Sequence, residues 1–291
     1  MPSPRTDVQK RFATQPPISP WVLACLFWLA SDFTRLHAHG DAHLLIADLN
    51  RQLEARPRDA TLHFRRGELH RLDGNWTNAL TDLNRAAELD PSMAAVDLER
   101  GRVFLDAGQP ERATNALNRF IATNPTNSIA RVTRARAFAW LGQPRAAIDD
   151  FTAAIRTSPG AGPDLYLERA GACRALGPKG LEEALMGLEA AITNMGPIIT
   201  LEAAALDLEV EMKHWDPALR RLDRMTEKAS RKDRWLIRKA ELLEAAGRAN
   251  EARRTWLEAR REFESIPERM RQTPAGRQES ERLRKALDAP P

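Results

Sequence analysis

A period of 34 residues runs through the chain and restricts its fold more than any other feature. Pro57, Pro91, Pro125 and Pro159 stand 34 residues apart, Gly74, Gly108 and Gly142 keep the same step, and so do Ala79, Ala113 and Ala147. A fixed period of this length marks a repeat architecture, in which each unit buries its apolar face only against its neighbours. The three residue types have separate mechanical duties. The glycine falls between two stretches of helical periodicity, where a turn with positive φ is easiest for a residue without Cβ. The alanine lies on the second stretch, where a small side chain lets two helices approach. The proline follows that stretch and blocks its extension. Further along, the period loosens. Ala147 to Ala184 takes 37 residues, with one extra residue before Gly177 and two in Pro178-Lys179-Gly180. Ala184, Ala218 and Ala252 return to the step of 34, but Lys213 replaces the turn glycine and Ser230 the proline of the fifth unit.

With Ala60 as position 1, Gly67, Ala79, Ala86 and Pro91 fill positions 8, 20, 27 and 32, Trp76 fills 17 and Leu83 fills 24. Gly101, Phe104, Ala113, Leu117 and Pro125 repeat the pattern, with Phe120 in place of the small residue at 27, and Ala135, Phe138, Ala147, Phe151, Ala154 and Pro159 repeat it again. Trp215 matches Trp76, and Ala240, Gly247, Ala252 and Ala259 restore the pattern in the sixth unit. The pattern resembles the tetratricopeptide repeat (TPR) family. The resemblance implies an all-α fold: a right-handed helix–turn–helix solenoid of about six TPR-like repeats, with a half repeat before and a capping helix after. Residues 41–59 are expected to form the half repeat, because Leu45, Leu49 and Leu53 share one helix face. Residues 60–161 would hold three regular units, residues 162–266 three degenerate ones, and residues 267–291 a polar capping helix and tail.

Composition agrees with a helical solenoid. Aromatic residues make up 6% of the chain with a single Tyr, which argues against a large β-sandwich or barrel. The net charge of +4 comes from 37 Arg and 7 Lys against 40 acidic residues. So small an excess, spread over the length, gives no nucleic-acid signature, and no nucleic-acid partner is expected. The N-terminus has the three parts of an export signal. Arg5, Lys10 and Arg11 are basic, residues 21–30 (WVLACLFWLA) are an apolar run, and Ala38 and Gly40 are small residues before a cut at Asp41. The run is too short for a membrane span, so none is expected once residues 1–40 are removed. The expectation is an exported protein, periplasmic or secreted. The alternative is a cytoplasmic TPR adaptor whose leader is never cleaved. Of the two cysteines, Cys25 falls in the leader, which leaves Cys173 as a small packed residue without a disulfide partner.

The resemblance places a peptide-binding groove along the first helices of the units, at positions 2, 5, 9 and 12. The residues that would line it are Phe64 and Arg71, then Leu98 and Arg102, then Val132, Arg136 and Trp140, then Leu167 and Arg174. The arginines would supply cations for carboxylates and the rest apolar area, so the expected partner is a protein or extended peptide with acidic and apolar side chains. The Lys/Asn clamp of the chaperone-binding members is replaced by Phe64 and Glu68. His63 and His70 occupy positions 4 and 11, where the family packs aromatics, and read as core histidines. A chain cut after Gly40 would begin Asp41-Ala42-His43, and a free amine, two amides and the His43 imidazole can enclose Cu(II) or Ni(II) in a square plane. That is the alternative function, metal capture at Asp41 and His43. The sequence carries no phosphate loop, nucleophile elbow, HExxH or cysteine cluster, so neither catalysis nor a cofactor is expected.

Overall fold

The computed structural model describes residues 42–288, which form fifteen helices and no strand. The helix α1 covers 42–55. Six helix pairs follow: α2 (Ala60–Leu72) with α3 (Trp76–Leu89), α4 (Ala95–Asp106) with α5 (Pro110–Thr123), and α6 (Ser128–Trp140) with α7 (Pro144–Thr157). Next come α8 (Pro163–Arg174) with α9 (Pro178–Met195), α10 (Ile199–Glu211) with α11 (Trp215–Lys228), and α12 (Lys232–Ala245) with α13 (Ala249–Ser265). The chain closes with α14 (Glu268–Arg271) and α15 (Pro274–Asp288). The residues fall into two compact units that divide between Thr123 and Asn124, the first holding two helix pairs and the second four. The predicted leader, residues 1–40, lies outside the described residues, as does Asp41.

The repeated residues do their expected mechanical work. Ala79, Ala113, Ala147, Ala184, Ala218 and Ala252 are all buried, each on the second helix of its pair. Gly74, Gly108, Gly142, Gly177 and Gly247 adopt positive φ in the turn between the helices of a pair. Lys213 takes the same role at φ 59° and is the one non-glycine residue of positive φ among the described residues. Side-chain caps help the early helices start. Asp59 accepts from the Thr61 and Leu62 amides at α2, Asn75 from Asn78 at α3, and Asn127 from Ala130 at α6.

In the first unit, Leu49, Leu53 and Leu62 form one cluster, and Ala79, Leu83, Ala86, Val96 and Val103 another, with Trp76 packed on it. The second unit has larger cores. One is built around Phe151, Leu188 and Leu201, and the other around Leu222, Leu243, Trp256 and Phe263. Cys173 is buried in the former, and burial pushes its thiol up from the usual range.

Two features depart from the regular pattern. The extra residues of the fourth unit extend α9, which has 18 residues where α7 has 14. Pro178 starts that helix, and Gly180 lets it run against α8: a Cβ on Gly180 would sit 1.8 Å from the Cys173 carbonyl oxygen. The terminal cap is also not one helix. It breaks at Thr273-Pro274, where proline cannot continue a helix but suits the first turn of a new one. The Thr273 hydroxyl accepts from the Gly276 amide at 3.1 Å, capping α15. Leu283 of α15 is then buried on the last core, with Ala286 and Leu287 beside it.

Candidate functional site

The first helix of each pair carries the residues expected to line a groove. In the first unit, Phe64 of α2 and Leu98 of α4 are half-buried, and Phe64 packs on the core that contains Leu83. Arg71 donates to Asp106 at 2.8 Å and to Glu99, and Arg102 donates to the other oxygen of Glu99 at 3.1 Å. Glu99 is only 2% exposed. Burial works against the Arg71 charge, but the carboxylates of Glu99 and Asp106 more than offset it, and the guanidinium is held more firmly charged than usual. Glu68, beside them, has its carboxyl pushed up by burial and by the charge of Glu99.

In the second unit, Val132 and Leu167 are half-buried, whereas Arg136, Trp140 and Arg174 are exposed. Arg136 of α6 donates twice to Glu168 of α8, both at 2.7 Å. Arg174 of α8 pairs with Glu211 of α10 at 2.5 Å. A cleft of about 370 Å³ opens between Arg136, Ala139, Phe151, Glu168 and Ala172. A smaller one of about 160 Å³ lies between Leu167, Gly171, Arg174 and Asp207. Trp140, at the end of α6, is 62% exposed, and Ile129 at its start 52%. For an indole, such exposure leaves apolar area for a partner to cover.

The structure adds what residue-by-residue reading of this face left out. The arginines are not free cations. Arg71, Arg136 and Arg174 each reach a carboxylate on the next first helix, at position 6 (Glu99, Glu168) or 13 (Asp106, Glu211) of the following unit. The acids were visible in the sequence, but they lie outside positions 2, 5, 9 and 12. The result is a face of balanced charge whose ion pairs stitch successive first helices together. The exposed pairs Arg136–Glu168 and Arg174–Glu211 contribute about 0–1 kcal/mol each, so a partner can exchange them at little cost, whereas Arg71 is tied to the buried Glu99.

A second charged device sits inside the repeats at position 23. Asp82 is buried and accepts two bonds from Arg66, at 2.7 and 2.6 Å. His63 approaches it at 3.2 Å through Nδ1 and meets the Pro57 carbonyl oxygen at 3.1 Å through Nε2. His70 lies further off, with Nε2 3.8 Å from Asp82 and Nδ1 buried without a hydrogen bond. Desolvation pushes the His70 pKa down, against the pull of Asp82. Asp150 repeats the arrangement with Arg134 and Arg131. In the fifth unit the signs are reversed. Arg221 occupies position 23, and its 2%-exposed side chain donates to Glu209 at 3.0 and 2.9 Å, to Glu202 and to Glu189. His63 and His70 are half-buried rather than core residues and share Asp82 as an ionic partner, and Glu202 and Glu209 stand at the same two positions of their unit.

No group of three or more His, Cys, Asp or Glu among the described residues could hold a metal ion. His43 lies in α1 and its Nε2 is 3.6 Å from Asp73. No helix among the described residues is long and apolar enough to cross a membrane.

A family model of the tetratricopeptide repeat matches residues 34–94 and 98–162. No curated protein has a significant match to the chain. Among solved structures, a tetratricopeptide repeat protein from Parabacteroides merdae is 16% identical at a TM-score of 0.52, covering 90% of this chain and 96% of its own. YrrB, described as a TPR protein with an unusual peptide-binding site, is 18% identical at a TM-score of 0.51, covering 60% of this chain and 89% of its own. At such identities the likeness is one of fold.

Proposed function

Since this chain is a tetratricopeptide repeat protein, we propose that it is a protein-interaction scaffold whose second unit holds an extended segment of a partner on the first helices α6, α8 and α10. The observation that carries this reading is the pair of clefts on that face, with Trp140 exposed between cleft-lining Ala139 and Gly142 in the chain. Tryptophan gives a large rigid contact for a small loss of side-chain freedom, which makes it a frequent anchor of binding energy. The groove arginines enter this account as exchangeable partners. An acidic side chain would replace Glu168 on Arg136 or Glu211 on Arg174, which sets register more than affinity.

Peptide display on the full chain tests the proposal. Affinities of the selected peptides are then compared for the parent, Trp140→Ala and Glu182→Ala, the last an exposed residue of the second helix α9. The expected outcome is a loss of about ten-fold or more for Trp140→Ala and none for Glu182→Ala. Equal affinities for all three proteins contradict it.

We also read residues 1–40 as an export leader, on the strength of the basic residues, the apolar run and the small residues before Asp41. The family match begins at residue 34 and so overlaps the end of this segment. The intact mass of the protein made with its own leader in a bacterium tests the reading. A periplasmic species beginning at Asp41 is expected, and a full-length cytoplasmic species would leave the adaptor that keeps its leader.

A further inference from the structure

A further cleft of the second unit lies apart from the two beside Trp140 and Arg174. It has a volume of about 840 Å³ and opens where second helices lead into the next first helices, between the starts of α10 and α12 and the end of α11. Its apolar wall is made by Pro197, Ile199, Met225 and Trp235. Ile199 is 54% exposed, which is unusual for an isoleucine beside a core. Around this wall stand five cations and one acid, Glu202. That acid is already engaged by Arg221.

The five cations are not equivalent. Arg231 is held by Asp233 and Glu279, Arg234 donates to Glu279 at 2.6 Å, and Arg238 lies 3.7 Å from both Asp207 and Glu241. Arg224 and Lys228, one turn apart on α11, have no acidic partner within ion-pair distance among the described residues. This contrasts with the groove arginines, each of which has its carboxylate. The cleft is thus an apolar strip with uncompensated positive charge on its rim.

We propose that this cleft binds an acidic segment of a partner protein, an extended peptide in which an apolar side chain seats against Trp235 and Ile199 while flanking carboxylates meet Arg224 and Lys228. Charge complementarity selects the acid, and the apolar wall selects a peptide over a bare anion. The cations come from side chains of separate helices, and no glycine-rich turn offers the converging backbone amides that cradle phosphate. Two acidic recognition points on a long chain also set direction and register, which a mobile anion does not need. The proposal does not depend on the clefts beside Trp140, since it uses the end of α11, the starts of α10 and α12 and the loops that precede them.

Fluorescence anisotropy with the full chain tests it. The probes are labelled peptides of alternating glutamate and phenylalanine, of glutamate alone, and of alternating lysine and phenylalanine. The glutamate–phenylalanine peptide is expected to bind most tightly, weaken as salt rises, and lose about ten-fold or more in affinity in the double variant Arg224→Glu, Lys228→Glu. Trp140→Ala is expected to leave this binding unchanged, which separates it from the groove. Both substituted side chains are without ion-pair partners, and an unchanged helical circular dichroism spectrum and melting point verify the fold of the double variant. Binding that is equal for the lysine peptide, absent for all peptides, or unaltered in the double variant overturns the proposal. So does displacement of the peptide by inorganic phosphate or ATP at concentrations similar to its own, which would assign the cleft to a phosphate ligand instead.

Discussion

Arg221 illustrates how much depends on single buried charges in this chain. Its guanidinium lies among Glu209, Glu202 and Glu189, the first two themselves buried. Burial opposes the charge, but the hydrogen bonds that Arg221 donates to the three glutamates outweigh it and raise the pKa well above the ordinary arginine range. Arg221→Ala leaves two buried carboxylates without a cation and is expected to lower stability by about 3–5 kcal/mol in chemical denaturation. Combining Arg221→Met with Glu202→Leu and Glu209→Leu should recover most of that loss, because a well-packed apolar cluster does not bear the cost of removing charge from water. Parent-like stability of Arg221→Ala would show that the cluster is not the buried network described. At this scale the sequence was legible only in part. The periodic Gly, Ala and Pro stand out because one steric requirement recurs at one position of each unit. The charged position 23 does not, since it holds Asp in the first and third units and Arg in the fifth, and its partners change type with it. The period already aligns His63 with Glu202 and His70 with Glu209, but only the fold shows that each pair faces the charge at position 23.

Each helix pair depends on a turn that reverses the chain within three residues or so. Five of the six turns use glycine at positive φ, and the turn between α10 and α11 uses Lys213 at φ 59°. The sequence marks this departure, and the structure shows that the backbone does not change to accommodate it. A side chain in the left-handed region costs about 1 kcal/mol, so Lys213→Gly is expected to stabilise the chain by about that amount, read as a higher denaturation midpoint. A lower midpoint would mean that the lysine side chain contributes packing that outweighs the backbone strain. The two element-level irregularities have related causes. The added residues before Ala184 joined α9 because Pro178 suits a helix start and Gly180 tolerates contact with the Cys173 carbonyl. The terminal cap divided because Thr273 and Pro274 together stop one helix and cap the next. Counting residues between matched positions located the first irregularity but did not show into which element it would fold, and the break in the cap left no mark on the period.

On the scale of the molecule, the described residues divide their surfaces by chemistry. In the second unit, the first-helix face has balanced charge, two smaller clefts and an exposed tryptophan. The loop edge carries a cleft of about 840 Å³ with unpaired cations. Repeat proteins gain extended surfaces of this kind because each unit adds a similar helix beside the last, while stability stays local to neighbouring units. The repeat architecture was legible from the period and the helical fold class from the resemblance its residues carry, whereas the charge balance of the groove was not, since it arises between successive repeats. The central claim is that partners dock on the first helices, and amide hydrogen exchange on the full chain tests it most directly. A peptide selected on the Arg224→Glu, Lys228→Glu variant, in which the loop-edge cleft is silenced, is added to that variant and exchange is followed helix by helix. Added protection along α6, α8 and α10 with none on α7, α9 and α11 is the predicted result, and protection confined to the second helices would contradict it.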